Sequence, residues 1–160
     1  MSDFRVGQGW DVHRIVAGRP MILGGVTIPS EFGLEGHSDA DILSHAVTDA
    51  LLGAAALGDI GMHFPDTDPR WKGAASRLFV EEAMREVRAA GYRVVNVDVT
   101  VLAEKPKLKA FKLTMKQSLE SLVGGAANLK AGTNEGCDAI GRGEAIAASA
   151  VVLLALEKLA

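Results

Sequence analysis

The chain has 160 residues, of which 48% are apolar and 23% are charged, and its formal net charge at pH 7 is −3. This length and balance predict one globular domain over residues 1–160, with enough apolar side chains for its own core. The small negative charge excludes an electrostatic case for nucleic acid or an anionic membrane as a partner. The single cysteine, Cys137, excludes an intrachain disulfide.

The location of the protein in the cell is predicted from two missing features, a signal peptide and a membrane-spanning segment. The first ten residues have no apolar core of the kind that a signal peptide needs. The most apolar segment, residues 145–156, is too short to span a bilayer. A lone cysteine fits a reducing compartment, so we expect a cytoplasmic protein with no membrane partner.

Strands are predicted at four places along the chain. The first is a short strand at residues 4–10, and a hairpin with a Gly-Gly turn follows at residues 21–29. Residues 92–103 carry valine at every second position, which predicts a half-buried strand. Residues 128–133 are predicted as a further short strand.

Four helices are predicted, at residues 40–57, 76–90, 108–123 and 144–159, and the apolar residues of 108–123 recur at helical spacing. Asp39 and Ser76 stand where the N-caps of the first two helices should lie. The last helix is apolar on nearly every face, so it is either one deeply buried core helix or part of a subunit interface. This mixed order of elements favours an α+β or α/β fold.

Residues 37–68 are the most informative stretch. They hold three of the four histidines and six acidic residues, although much of the predicted first helix is apolar. Ionisable groups enter an apolar helix only with partners, because desolvating a charge costs several kcal/mol. Residues 58–73 form a long connection with no periodicity, which indicates a functional loop.

One set of residues has the chemistry of a metal site. Asp11 and His13 are two positions apart, so in an extended segment their side chains point the same way. With His45 they would supply one carboxylate and two imidazoles, a donor set that suits Zn²⁺ with a fourth position open. Asp41 and Asp49 lie four residues on either side of His45 and are candidate acceptors for its other ring N–H. The alternative is a core histidine satisfied by a neighbouring carboxylate.

Other polar clusters each have a functional and a structural interpretation. His37 and Ser38 precede a predicted helix and suit a phosphate, although simple capping is the commoner use. Residues 64–69 form a proline-bracketed turn that is either a sugar or metal site or turn chemistry alone. Thr133 and Glu135 could hold a phosphate and Mg²⁺. Residues 103–107 are an anion contact or a solvated basic turn. Arg142 and Glu144 could form a salt bridge and nothing more.

Taken together, these motifs resemble one family over essentially the whole chain. The residues that carry the resemblance are Gly9-Trp10-Asp11-Val12-His13-Arg14, Gly36-His37-Ser38-Asp39-Ala40-Asp41, residues 49–61 and residues 63–69. In order and spacing they are similar to the 2-C-methyl-D-erythritol 2,4-cyclodiphosphate synthases, enzymes of non-mevalonate isoprenoid precursor biosynthesis. These phosphorus–oxygen lyases convert 4-diphosphocytidyl-2-C-methyl-D-erythritol 2-phosphate to the cyclic 2,4-diphosphate and CMP by intramolecular phosphoryl transfer.

The resemblance implies roles for individual residues. Asp11, His13 and His45 would hold zinc, and Glu135 would hold a second divalent ion, Mg²⁺ or Mn²⁺. His37 and Thr133 would stabilise the transition state. The implied substrate contacts are Asp11, His13, His37, Ser38, Asp59, Ile60, Gly61, Phe64, Pro65, Asp66, Thr67, Asp68, Ala103, Lys107, Leu108, Lys109, Gly132, Thr133, Asn134, Glu135 and Arg142.

The resemblance also implies an architecture. It predicts an α+β fold with a mixed four-stranded sheet and helices packed on one side. Three subunits would place their sheets around a three-fold axis, with each active site between neighbours. The family's central cavity can hold an isoprenoid diphosphate near the position of Arg142. Two rival interpretations remain: a zinc phosphohydrolase on the same scaffold, and a non-enzymatic trimeric binding protein with a structural metal.

Overall fold

The computed structural model describes residues 3–157, along which four strands come first and helices and strands follow in mixed order. The strands are β1 (Phe4–Ala17), β2 (Met21–Leu23), β3 (Val26–Ile28), β4 (Phe32–Leu34), β5 (Tyr92–Leu102), β6 (Ala126–Gly132) and β7 (Ala145–Leu156). The α-helices are α1 (Ile42–Ala55), α2 (Ile60–His63), α3 (Arg77–Ala89), α4 (Lys112–Val123) and α5 (Asp138–Gly141). Within this part of the chain, no helix is long and apolar enough to cross a membrane.

One mixed sheet carries the fold, with strand order β4-β1-β7-β5-β6. Only β5 and β6 run parallel; the other neighbours are antiparallel. The prediction of four strands was wrong. The reason is the length of β1, which continues past Trp10 to Ala17, so that its last three residues pair with Phe32–Leu34 and recruit β4 as a fifth strand.

The last element is a strand and not the predicted helix. β7 pairs with β1 from Arg14 to Phe4 and with β5 on its other side, which makes it the central strand of the sheet. Apolar residues occupy both faces of β7, including the exposed Val151, so its periodicity resembles that of a buried helix. The tail of the predicted helix, from residue 158 on, lies outside the described residues.

The remaining predictions agree in type and differ at the ends. The Gly-Gly hairpin forms as β2 and β3, and the valine-rich strand forms as β5 with a bulge between Val94 and Asn96. The long loop after α1 contains α2 and a 3-10 turn at Pro69–Trp71. A second 3-10 turn, Lys109–Phe111, precedes α4, which is therefore shorter than predicted.

Helix α1 lies unusually close to β1. A Cβ atom built on Gly9 would lie 2.0 Å from the carbonyl oxygen of Ala46, and one on Gly7 would lie 2.1 Å from that of Ala50. Only glycine allows backbones to approach this closely. Since side chains alternate along a strand, Asp11 and His13 share the face of Gly9 and point toward the same helix.

We therefore expect Gly9→Ala to lower the free energy of unfolding by about 1–3 kcal/mol or more, because the clash is with backbone that cannot rotate away. Gly53→Ala is the matched control: Gly53 lies in α1, and a Cβ there meets nothing within 4 Å. That change should instead raise the free energy of unfolding by about 0.5–1 kcal/mol. Chemical denaturation of both variants checks this, and a Gly9→Ala protein as stable as the wild type would contradict the close approach.

Candidate active site and metal centre

The predicted metal-binding side chains meet where β1 faces α1. The Asp11 Oδ2 atom lies 3.0 Å from His13 Nε2 and 3.0 Å from His45 Nδ1. One ligand atom from each of these residues lies within 4.8 Å of the others. The structure thus brings together a carboxylate and two imidazoles from two elements, as the sequence predicts.

The electrostatics of this triad suit a cation. Burial alone would raise the pKa of Asp11, but its hydrogen bonds and charge interactions with His13 and His45 outweigh burial and hold the pKa well below its usual range. Burial lowers the pKa of His13, yet the hydrogen bond and charge of Asp11 raise it above the ordinary value. One carboxylate and two imidazoles thus face one point, and a metal ion can bind there.

The carboxylates of Asp41 and Asp49 make no hydrogen bond to the His45 ring, whose partners are Asp11, Ser38 and Ser76, so the prediction that they receive its other N–H was wrong. The Asp41 carboxylate accepts hydrogen bonds from the backbone of Gly24 (2.8 Å), Gly25 (2.7 Å) and Ser44 (3.2 Å). Its burial raises its pKa despite these bonds. Asp49 accepts from the backbone N–H of Ile60 at 2.7 Å. Helical spacing places these side chains near His45, but their carboxylate oxygens accept hydrogen bonds from backbone N–H groups instead.

The second ring nitrogen of His45 contacts two serine hydroxyls instead. The Nε2 atom of His45 lies 3.0 Å from the hydroxyl of Ser38 and 2.9 Å from that of Ser76. A ligating imidazole normally gives its second nitrogen to an oxygen, and this fixes the ring. This arrangement leaves Nδ1 turned toward Asp11 and supports the fit of the triad to a metal.

Of the two predicted caps, Asp39 was wrong, and Ser76 was right in its position but not in its hydrogen bond. Asp41 caps α1: its carboxylate accepts from the backbone N–H of Ser44, one of the N–H groups in the first turn of the helix. Asp39 accepts instead from the backbone of Asp41 and the hydroxyl of Ser76. Ser76 precedes α3 but makes no capping hydrogen bond.

A cavity of about 550 Å³ opens above the triad. Its lining contains most residues of the predicted metal, phosphate and sugar sites: Asp11, His13, His37, Ser38, His45, Ile60, Gly61, Phe64, Pro65 and Asp66. Asp59, Thr67 and Asp68 are not in this lining. Asp59 accepts from the backbone N–H of Met62, and Asp68 pairs with Arg70, which lowers its pKa, so both serve local turns.

An aromatic wall of this cavity was missed from the sequence. Phe64 stacks on Phe79 with ring centroids 4.5 Å apart, and Trp71 meets both rings edge-on. Phe79 also stacks on the ring of His45 at 5.8 Å. Phe79 belongs to the apolar face of α3 and reads as an ordinary core residue, so only the fold reveals that it borders the site.

The predicted nucleotide side forms a separate cavity of about 380 Å³. Its lining includes Ala103, Lys107, Leu108, Lys109, Gly132 and Thr133, and it shares no residue with the first cavity. Glu135 lies beside it, where its carboxylate accepts from the Thr133 hydroxyl at 3.0 Å. Asn134 donates its backbone N–H to Glu104. Arg142 lines a further cavity and pairs with Glu144 at 2.8 Å, the salt bridge that was one interpretation of this segment.

Comparison with known proteins identifies the family. Residues 4–155 match the YgbB family. The chain belongs to this family. It is 58% identical over 155 residues to the 2-C-methyl-D-erythritol 2,4-cyclodiphosphate synthase of Laribacter hongkongensis, covering 95% of this chain and 96% of that protein. It is 55% identical over 157 residues to the enzyme of the same name from Solibacter usitatus, covering 96% and 99%. The predicted family and cyclodiphosphate synthase activity are thereby confirmed.

Solved structures agree with this assignment. A CDP-bound 2C-methyl-D-erythritol-2,4-cyclodiphosphate synthase is 43% identical with a TM-score of 0.87, covering 94% of this chain and 99% of that one. The CDP complex of IspF from Plasmodium falciparum is 29% identical with a TM-score of 0.85, covering 99% and 100%. The bifunctional IspDF of Campylobacter jejuni is 42% identical with a TM-score of 0.92, covering 96% of this chain. The chain spans only 42% of that protein.

The corrected role of Asp41 leads to a test. Asp41→Asn would turn an amide NH₂ toward N–H and O–H donors, so we expect the free energy of unfolding to fall by about 1–3 kcal/mol. Metal affinity of the folded protein should not change, since the Asp41 carboxylate does not bond to the His45 ring. Asp98→Asn is the control, because Asp98 is a partly exposed carboxylate paired with Lys130, and its change should have a smaller effect on stability. Denaturation and metal titration of both variants decide this, and weaker metal binding at unchanged stability would count against the structural role.

Proposed function

We propose that the chain closes the 2,4-cyclodiphosphate ring of 2-C-methyl-D-erythritol, releasing CMP from 4-diphosphocytidyl-2-C-methyl-D-erythritol 2-phosphate. The observation that carries this proposal is the triad beneath a cavity of about 550 Å³, in a chain 58% identical to a named synthase. This is a step of isoprenoid precursor biosynthesis. The cytoplasm remains the proposed location, consistent with the exposed free thiol of Cys137.

The triad is proposed to hold Zn²⁺. One carboxylate and two imidazoles make a typical catalytic zinc site that keeps a fourth position for substrate. When bound there, the ion supplies positive charge to a β-phosphate oxygen and makes the phosphorus more electrophilic. Asp11 is ionised and ready for this, because its partners lower its pKa. Glu135 is proposed to hold the second divalent ion, Mg²⁺ or Mn²⁺, with the nearby Thr133 hydroxyl facing the same group.

The remaining residues position the substrate. His37 is exposed at the cavity wall, and Ser38 lies beside it, so these two are proposed for the phosphates. Ile60, Gly61 and Asp66 line the same cavity and are proposed for the methylerythritol unit. Nucleophile and leaving group belong to one molecule, so no general base is required. Alignment and charge neutralisation can supply most of the acceleration.

The nucleotide is proposed to occupy the second cavity. Two backbone segments, residues 103–109 and 131–133, form most of its lining. Lys107, Lys109 and Lys112 give it positive charge beside a small apolar pocket, which suits a pyrimidine diphosphate. The CDP complexes of the similar structures support this ligand class.

We further propose a homotrimer with the active site between subunits. The sheet face opposite α1 exposes Val6, Trp10, Val12 and Val151, a row of apolar side chains that water would disfavour. The two cavities of one chain share no lining residue, although a single substrate has to reach both. Packing these faces around a three-fold axis buries the row and allows the nucleotide half of one subunit to meet the metal half of its neighbour.

The activity is tested with the metal-loaded protein and its substrate. We expect the wild-type protein to release CMP and the cyclic diphosphate in equal amounts. We expect the His13→Ala protein to fold but to lose zinc binding and ring closure, because it lacks one of the three ligands. His63→Ala is the metal control: His63 contacts the carbonyl oxygen of Leu57, outside the triad, so zinc should be retained.

Product analysis separates the rival functions. Free phosphate or 4-diphosphocytidyl-methylerythritol without the cyclic product would indicate a phosphohydrolase on this scaffold. No release of CMP by metal-replete protein would favour a binding protein with a structural metal. Full activity in His13→Ala would refute the assignment of this ligand.

The trimer is tested on its exposed faces. Val6 is 69% exposed on the open sheet face, and Leu113 is 63% exposed on α4. We expect Val6→Asp to dissociate the assembly, because it places a charge in an apolar interface, and Leu113→Asp to leave it intact. Analytical ultracentrifugation gives the masses directly. A monomeric wild type, or a Val6→Asp protein that remains trimeric, would contradict the proposed interface.

A further inference from the structure

Ser76 occupies a cap position without acting as a cap. It stands immediately before α3, where a serine hydroxyl usually accepts from a backbone N–H of the first turn and stabilises the helix. Here no such bond forms, although the side chain is fully buried. Its hydroxyl instead reaches across to the end of the loop before α1 and to His45 on that helix. A buried group that gives up its local partner for distant ones indicates a role at the distant site.

The direction of the hydrogen bonds follows from Asp39. The Ser76 hydroxyl donates its proton to the Oδ1 atom of Asp39, since a carboxylate oxygen accepts. Ser76 Oγ is then an acceptor toward its other neighbours. The Nε2 atom of His45, 2.9 Å away, must donate to it and therefore carries the ring proton. In a neutral imidazole the lone pair is then on Nδ1, 3.0 Å from the Asp11 carboxylate. Two acceptors face each other at this point, and a cation bound between them, where the metal is proposed, satisfies both.

We propose that Ser76 and Asp39 form a relay that positions His45 as a metal ligand by fixing its tautomer. The inference rests on the proposed metal site and assigns two residues that do not themselves contact the metal or the substrate. The relay runs from Asp39 through the Ser76 hydroxyl to Nε2, and it holds Nδ1 free for the ion. Both are positioning residues.

Ser38 does not fix this polarity. Its hydroxyl lies 3.0 Å from Nε2 and 3.0 Å from Ser76, and it also accepts from the backbone N–H of Ala40. A hydroxyl without a carboxylate beyond it can donate or accept, so it permits either tautomer of His45. Only the branch through Ser76 ends on a carboxylate. The hydroxyl of Ser38 can therefore turn toward a ligand in the cavity while the branch through Ser76 keeps the ring oriented.

The test measures zinc affinity by chelator competition on the full chain. We expect Ser76→Ala to weaken binding by about 10- to 100-fold, the range typical for partners of ligating histidines. Ser121→Ala, which removes an exposed hydroxyl on α4, should leave the affinity unchanged. Ser76→Cys keeps nearly the same volume with a weak acceptor and should lose affinity in the same direction, so a packing defect in the alanine variant is distinguished from loss of the relay.

A double-mutant cycle tests the chain of bonds. If Asp39 acts through Ser76, Asp39→Ala weakens zinc binding in the wild type but adds little to Ser76→Ala. Independent effects that sum would overturn the relay. ¹⁵N spectra of the zinc-loaded wild type should show His45 metallated at Nδ1 and protonated at Nε2; the reverse assignment would overturn the proposal without any variant. Wild-type protein that binds no zinc would refute the metal site itself, whereas tight zinc binding by Ser76→Ala would refute only the relay.

Discussion

The close approach of α1 to β1 is the constraint on which the site depends. Gly7 and Gly9 let the two backbones come nearly into contact, because any Cβ would collide with a carbonyl oxygen of the helix. The same strand face continues to Asp11 and His13, and the same helix carries His45. The metal triad therefore results from packing two backbones at glycine distance, and a wider separation would pull its donors out of range of one ion.

The two faces of the main sheet have different roles. The face toward α1 is filled by alternate side chains of β7, including Ile146, Ala148 and Ala150, and it supports the triad. The opposite face keeps Val6 and Trp10 exposed. Since β7 lies centrally between β1 and β5, it sets the distance between the metal cavity and the nucleotide cavity. A monomer holds both halves of the apparatus apart, and assembly through the exposed face provides a way to join them.

Elements could be predicted from the sequence where a few neighbouring residues determine the local structure. The valine alternation of β5, the Gly-Gly hairpin and the Asp11–His13 pair were all identified in this way. β7 could not be predicted, because apolar residues on both of its faces erase the period of two that marks a strand. Asp41 and Asp49 were misassigned because spacing locates Cβ atoms and not carboxylate oxygens, which backbone N–H groups of other loops bind. The wall formed by Phe64, Trp71 and Phe79 required tertiary contacts that no spacing encodes.

The acidic residues around His45 differ in the hydrogen-bond donors that their carboxylates contact, and this difference sets the charge of the metal site. Asp41 and Asp49 are held by backbone N–H groups, and Asp39 by a backbone N–H and the Ser76 hydroxyl. Asp11 alone offers its carboxylate to the triad. A divalent ion there keeps one net positive charge after a single carboxylate. Three ligating carboxylates would have made the centre negative, and it would then repel a diphosphate. Sequestering the neighbouring acids is therefore what allows an acid-rich stretch to attract a polyanionic substrate.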